Sequence, residues 1–177
     1  MGSRSARSFV VLLMAVSVVP ACQSYPVPIL LQYGSRVSYL GYPYPDVPYH
    51  EGVDIAGRVG DPILAVIDGT VIADGLAAGD PQRCGLGVLI RHWDSGRRIR
   101  FCHMSAVTVK AGNPVKRGDV IGLLGATGNA GPTPHIHWEI RRRDNSTEDP
   151  LAVTDGCFNP SKVYPADQFI LTLPVKC

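Results

Sequence analysis

Beyond its first 21 residues the sequence has no net charge: the 17 basic residues outnumber the 15 acidic ones only through Arg4 and Arg7. A neutral chain with no long basic run lacks the electrostatic footprint of a nucleic-acid binder. It offers nothing to a strongly acidic partner either. No window beyond residue 21 repeats apolar residues at helical spacing over ten or more positions, so the regular structure is expected to be β. The one long apolar run, Phe9 to Val19, is too short for a comfortable membrane span. Disorder does not fit, since hydrophobic residues make up an ordinary 45% of the chain. The 19 glycines and 15 prolines of these 177 residues mark a turn-rich fold. The chain beyond residue 21 has the size of one domain and can bury roughly 68–70% of its unfolded surface, so a metal is not needed to make it fold.

Arg4 and Arg7 followed by the apolar run read as an export signal over residues 1–21. Val19-Pro20-Ala21-Cys22 resembles the box at which bacterial lipoproteins are cut before a lipid-modified cysteine, which would attach the chain to a membrane. Ordinary cleavage near Ala21, leaving Cys22 a bystander, is the alternative. Either route places the protein outside the cytoplasm, in a bacterial periplasm or cell envelope. Setting Cys22 aside leaves Cys84, Cys102, Cys157 and Cys177, an even set in an exported chain. Of three connectivities the favoured one is Cys84–Cys102, across the ends of an expected hairpin, with Cys157–Cys177 fastening the C-terminus.

Short β-branched runs bounded by turn residues recur along the chain, predicting an all-β fold of antiparallel sheets. Ile63–Ile67 and Thr70–Ala73 flank Asp68-Gly69, a strong hairpin signal. Leu86–His92 and Arg97–His103 flank a second turn at Asp94-Ser95-Gly96. Further strands are expected at Ala106–Val109, Val120–Leu124 and His135–Ile140. Residues 22–35 read as an extended arm or tether, and 36–177 as the domain proper. The segment Tyr42–Tyr49, rich in proline and tyrosine, should be a stiff loop leading into His50, its tyrosines either lining a groove or packing on a sheet edge. Arg141-Arg142-Arg143 reads as a solvated strand end.

Four of the five histidines fall in three local motifs: His50-Glu51-Gly52-Val53-Asp54, Phe101-Cys102-His103-Met104, and His135-Ile136-His137. His92, beside a turn, reads as structural. On a strand, residues two apart share a face, so His135 and His137 present both imidazoles to one place. A straight strand would hold residues 50 and 54 about 13 Å apart, so the chain must bend between them, and Gly52 is where bending is easiest. One carboxylate and two neutral imidazoles make an oxygen/nitrogen set suited to a catalytic zinc that keeps a fourth position open.

These motifs resemble those of the lysostaphin-like, LytM-type zinc metallopeptidases that cut peptides in bacterial cell walls. His50–Ala56 matches the family's first metal motif, and Phe101–Ser105 its central histidine motif. Gly125–Gly128 leads into Pro134-His135-Ile136-His137-Trp138-Glu139, which resembles its closing motif. Asp61–Val71 and Val115–Gly122 resemble the intervening strands. The likeness runs from about Arg36 to Leu151. It implies a barrel- or sandwich-like LytM-type domain, a duplicated hybrid motif, with one zinc ion per chain held by His50, Asp54 and His137. It also implies catalytic roles for His103 and His135 and peptidoglycan peptides as substrate. Cys102 departs from the family, which often has an aliphatic or aromatic residue there, and Gly131–Pro134 is slightly longer than its usual turn.

The implied function is a zinc-dependent metalloendopeptidase acting on peptidoglycan. A non-catalytic member of the same fold, binding peptidoglycan or activating another hydrolase, is the alternative; such proteins typically lack ligands that are all present here. A Cys102–His103 thiol hydrolase is disfavoured because neighbours on a strand face opposite sides. The run Gly122, Gly125, Gly128 lacks the spacing and the lysine of a phosphate-binding loop.

Overall fold

Each β-branched run forms a strand where one of its faces can be buried, and in the computed structural model, which describes residues 26–45 and 47–177, eleven do so. The expected export signal and Cys22 lie outside the described residues. The larger sheet comprises β1 (Ile29–Leu31), β2 (Val53–Ala56), β4 (Gly69–Gly75), β5 (Leu86–His92), β6 (Arg98–Met104), β8 (Pro114–Val115), β10 (His135–Arg141) and β11 (Thr147–Glu148). Its order is β1-β2-β10-β6-β5-β4-β8, with β11 beside β10. The smaller sheet is β3 (Pro62–Leu64), β9 (Val120–Leu123) and β7 (Ala106–Val107), in the order β3-β9-β7. Every paired strand is antiparallel. Among the described residues the helical pieces are two short 3-10 segments, Leu76–Ala78 and Pro150–Val153. The all-β expectation holds.

One apolar cluster joins the sheets. The larger contributes Val53, Ile55, Ile90, Ile99, Phe101, Ile136, Trp138 and Ile140, and the smaller side adds Ile63, Ile67, Ile121 and Leu124. Strand alternation then sends Asp54, Arg100, Cys102, His135, His137 and Glu139 to the opposite face of the sheet's centre. Register confirms the sorting: His137 pairs with Asp54 on one side and with Cys102 on the other, Glu139 with Arg100, and Trp138 with Val53 and Phe101. The middle of this sheet is thus greasy beneath and polar above.

The second expected hairpin forms, as β5 and β6. So do both favoured disulfides, Cys84–Cys102 and Cys157–Cys177. The hairpin expected at Asp68-Gly69 does not form. β3 pairs with β9 in the smaller sheet, β4 with β5 and β8 in the larger, and fully buried Ala65 and Val66 cross between them. Asp68 accepts from the Arg117 backbone N–H at 2.8 Å and from Lys116 Nζ at 3.0 Å, binding this crossover to the turn before β9. Within the stretch expected to be an arm or tether, Ile29–Leu31 is the edge strand β1, paired with β2.

Candidate metal centre

On the polar face, His50 Nε2 lies 3.0 Å from His137 Nδ1 and 3.1 Å from Asp54 Oδ1, and His137 Nδ1 lies 2.9 Å from the same oxygen. One donor atom from each of the three residues falls within 4.8 Å of the others. β2 supplies Asp54, β10 supplies His137, and the loop entering β2 supplies His50. The chain bends between residues 50 and 54 as expected, but Gly52 serves another purpose than easing the bend. A Cβ there would sit 2.4 Å from the Trp138 carbonyl oxygen and 2.9 Å from His137 Cε1, so glycine is what lets this loop lie against β10.

His135 joins the group from β10, its Nε2 3.7 Å from Asp54 Oδ2, and His103 from β6, its ring centroid 4.7 Å from that of His135. His103 gets there against the alternation of its strand. Ile99 and Phe101 face the core, and a regular strand would send residue 103 the same way. The backbone instead turns left-handed at His103, with φ 67°, and returns the ring to the polar face. Cys102 and His103 therefore both border the site, contrary to the expectation that neighbours face apart. Cys102 is withdrawn from thiol chemistry by its disulfide. His92 stands apart, bonded to Ser95 Oγ at 2.9 Å.

Each of the four clustered imidazoles has an acceptor behind it: Gln32 O for His50 Nδ1 (3.2 Å), Thr127 O for His103 Nδ1 (2.9 Å), Thr133 O for His135 Nδ1 (2.8 Å) and Glu139 Oε2 for His137 Nε2 (3.3 Å). These oxygens can only accept, so each neutral ring places its proton outward and turns a lone pair inward. Two imidazole lone pairs and an aspartate oxygen then meet at about 3 Å. A shared proton or metal ion would hold such atoms together. Without a metal a proton fits there: burial opposes the charge on His137, yet the hydrogen bonds to Asp54 and Glu139 prevail and raise its pKa to about 9. Asp54 is pushed up by burial but held well below the carboxylate range by its bonds to His137 and His50. A divalent ion taking two nitrogens and one oxygen fits the same place. Burial, reinforced by His137 and His135, lowers the pKa of His103 to about 3, leaving a neutral ring.

Residues to which the sequence motifs gave no role complete the site. Glu139 is bound by Arg100 at 3.0 Å and Arg141 at 2.6 Å, and Arg141 also reaches Glu51 at 2.9 Å, so Arg141 is no mere solvated strand end. The period of two that pairs His135 with His137 would have reached Glu139 had it been carried two residues further. Tyr44 stacks on His50 with ring centroids 5.8 Å apart, and Tyr39 meets His135 edge-on at 5.9 Å. Tyr39, Tyr42 and Tyr44 line one side of a cavity of about 350 Å³ whose floor is the histidine cluster.

The sequence model of peptidase family M23 matches residues 48–150. Over 92 residues the chain is 38% identical to DD-carboxypeptidase/endopeptidase Mpg of Neisseria meningitidis serogroup B, a match covering 52% of this chain and 20% of that protein. Over 121 residues it is 32% identical to glycyl-glycine endopeptidase ALE-1 of Staphylococcus capitis, covering 63% and 32%. The fold is similar to that of the catalytic domain of the antimicrobial peptidase lysostaphin from Staphylococcus simulans, with TM-score 0.60, 26% identity, and coverage of 71% of this chain and 90% of that one. The match spans only a fifth to a third of these two curated relatives.

Proposed function

The chain belongs to peptidase family M23, and from that premise we propose that it is a zinc-dependent metalloendopeptidase that hydrolyses peptide bonds of bacterial cell-wall peptidoglycan. The observation that supports the reading is the convergence of His50 Nε2, His137 Nδ1 and Asp54 Oδ1, three atoms close enough together to share one metal ion. These residues would hold one zinc ion per chain. When bound, zinc supplies Lewis acidity, polarising the scissile carbonyl and making water a competent nucleophile near neutral pH.

The remaining work falls to this chain's own groups. His103 and His135, each with its Nδ1 proton tied to a backbone carbonyl, offer Nε2 to the cleft as proton acceptors. One takes the proton of the attacking water and the pair returns one to the leaving amine, work suited to fixed imidazoles. The tyrosines over the cluster enclose the cleft and give an extended peptide a surface to lie on.

The two disulfides support an exported protein of the periplasm or cell envelope. The same reading keeps residues 1–21 as the export signal, Cys22 as the lipid-bearing residue and 36–177 as the metallopeptidase domain, while the segment 22–35 that precedes it adds the strand Ile29–Leu31 to its larger sheet. Purified protein incubated with peptidoglycan tests the proposal: bound zinc near one ion per chain and release of new amine ends are expected. A protein that co-sediments with the wall and frees no amines would instead be the non-catalytic binding member.

A further inference from the structure

His103 and Asn145 are the non-glycine residues with positive φ among those described. Asparagine and histidine both enter that conformation more readily than other side chains, but Asn145 is exposed whereas His103 is buried. A buried non-glycine residue persists there where its surroundings over-determine it. Two segments do so, one around Cys84 and one around Thr127. The His103 backbone N–H donates to the Cys84 carbonyl at 2.7 Å. Its ring Nδ1–H donates to the Thr127 carbonyl at 2.9 Å, and the Thr127 hydroxyl donates to the Met104 carbonyl at 2.8 Å while accepting from the Leu86 N–H at 2.9 Å. Glycines at 85 and 128 let the loops touch: a Cβ on Gly85 would lie 2.4 Å from Thr127 Oγ1, and one on Gly128 2.5 Å from the Arg83 carbonyl. The Cys84–Cys102 bridge closes this clasp covalently, joining the acceptor of the His103 amide to the residue before His103. Both cysteines are buried at the cavity that His103 lines.

We infer that the Cys84–Cys102 disulfide is a positioning device for His103, pinning the loop around Cys84 against β6 so that the left-handed turn presents the imidazole to the cleft. Without it nothing covalent opposes relaxation of residues 102–104 toward a regular strand, which carries the ring toward the core side. The kinetic consequence rests on the hydrolase reading; the structural one does not.

The other bridge supplies a matched control. Cys157–Cys177 closes a loop of similar length, with a sequence separation of 20 against 18, so its loss should weaken the fold by a similar amount. The full chain is compared with the Cys84→Ala/Cys102→Ala, Cys157→Ala/Cys177→Ala and Thr127→Val variants by bound zinc, kcat, KM and the imidazole NMR resonances. Both double variants should melt earlier and keep zinc. Only the first should lose the Nδ1–H signal of His103, with kcat falling about 100-fold, the effect of a displacement near 1 Å, and KM little changed. A folded Cys84→Ala/Cys102→Ala protein with the His103 signal and kcat of the control pair overturns the inference. Should that variant not fold, Thr127→Val decides: it keeps the bridge and removes both bonds of the Thr127 hydroxyl, so it should weaken the same resonance and slow kcat, and no change in either rejects the clasp. If the unmodified protein releases no amine from peptidoglycan the hydrolase reading fails, while the ring resonance still reports on the bridge.

Discussion

Glu139 stands behind His137, accepting from its Nε2 at 3.3 Å, and is itself fixed by Arg100 and Arg141. A carboxylate in that position orients the ring and makes its inner nitrogen more basic. Glu139→Gln keeps the shape and removes the charge, so zinc affinity measured by chelator competition should fall about 10- to 100-fold; unchanged affinity would make Glu139 an ordinary partner of the arginines. His103 offers the opposite test, since its ring bonds to the Thr127 carbonyl and not to His50 or Asp54. His103→Ala should keep its zinc and lose about 100- to 10,000-fold in turnover, as expected for removal of a general acid or base. Zinc lost along with activity would move His103 into the ligand set. The two histidines of β10 were legible because a period of two needs only a strand, and the bend at His50–Asp54 because a straight one is too long. The path of His103 was not legible. It depends on one backbone dihedral held by residues 84 and 127, far from it in sequence.

At the level of strands, the local signal at Asp68-Gly69 lost to longer-range pairing. Aspartate followed by glycine favours a tight turn whatever surrounds it. Here Asp68 spends its carboxylate on residues 116 and 117, and Gly69 is required by contact: a Cβ would sit 2.6 Å from the Arg91 carbonyl oxygen and 2.7 Å from Ile90 Cγ2. Gly69 does not carry a positive φ, which a type I′ hairpin turn would require of it. Gly69→Ala should therefore destabilise the protein by about 1–3 kcal/mol, the usual range for overpacking, in a denaturant titration. A neutral result would mean that β5 yields at Arg91. The β5–β6 hairpin was legible for the converse reason: its strands are adjacent in sequence and its turn, at residues 93–97, has no competing partner strand. The smaller sheet was not, because β3 finds β9 nearly sixty residues away, and no local pattern records that choice.

For the molecule as a whole, the proposed metal site would couple ion binding, protons and folding. The pKa of His137 rises from 6.5 to about 9 despite burial, because of its bonds to Asp54 and Glu139. A base whose pKa is raised on folding stabilises the fold below its unfolded value and loses that contribution as pH climbs through the folded one, here between 6.5 and about 9. The carboxylates act in the other direction. Glu139, raised by burial but lowered further by His137 and the arginines, drops from 4.5 to about 2, so its contribution is full above 4.5 and fades as pH falls toward 2. His103, whose pKa burial lowers from 6.5 to about 3, stays neutral in the fold while the unfolded chain takes up a proton, so it costs stability as pH falls below 6.5. The metal-free protein should accordingly be most stable near pH 6.5. An ion bound at His137 Nδ1 must displace the proton held there below pH 9, and finds little to displace above it. Affinity should then climb with pH across 6.5–9, by up to about tenfold per unit for one proton released. Because an ion that binds only the folded chain raises the melting midpoint according to its affinity, the gap between zinc-loaded and chelated protein should widen steadily from pH 6.5 to 9. His137→Gln, which removes a ligand together with that proton, should shrink the gap at every pH. A gap already flat in the unmodified protein would mean that the ion takes its nitrogen from elsewhere in the cluster, and residue 137 would leave the ligand set.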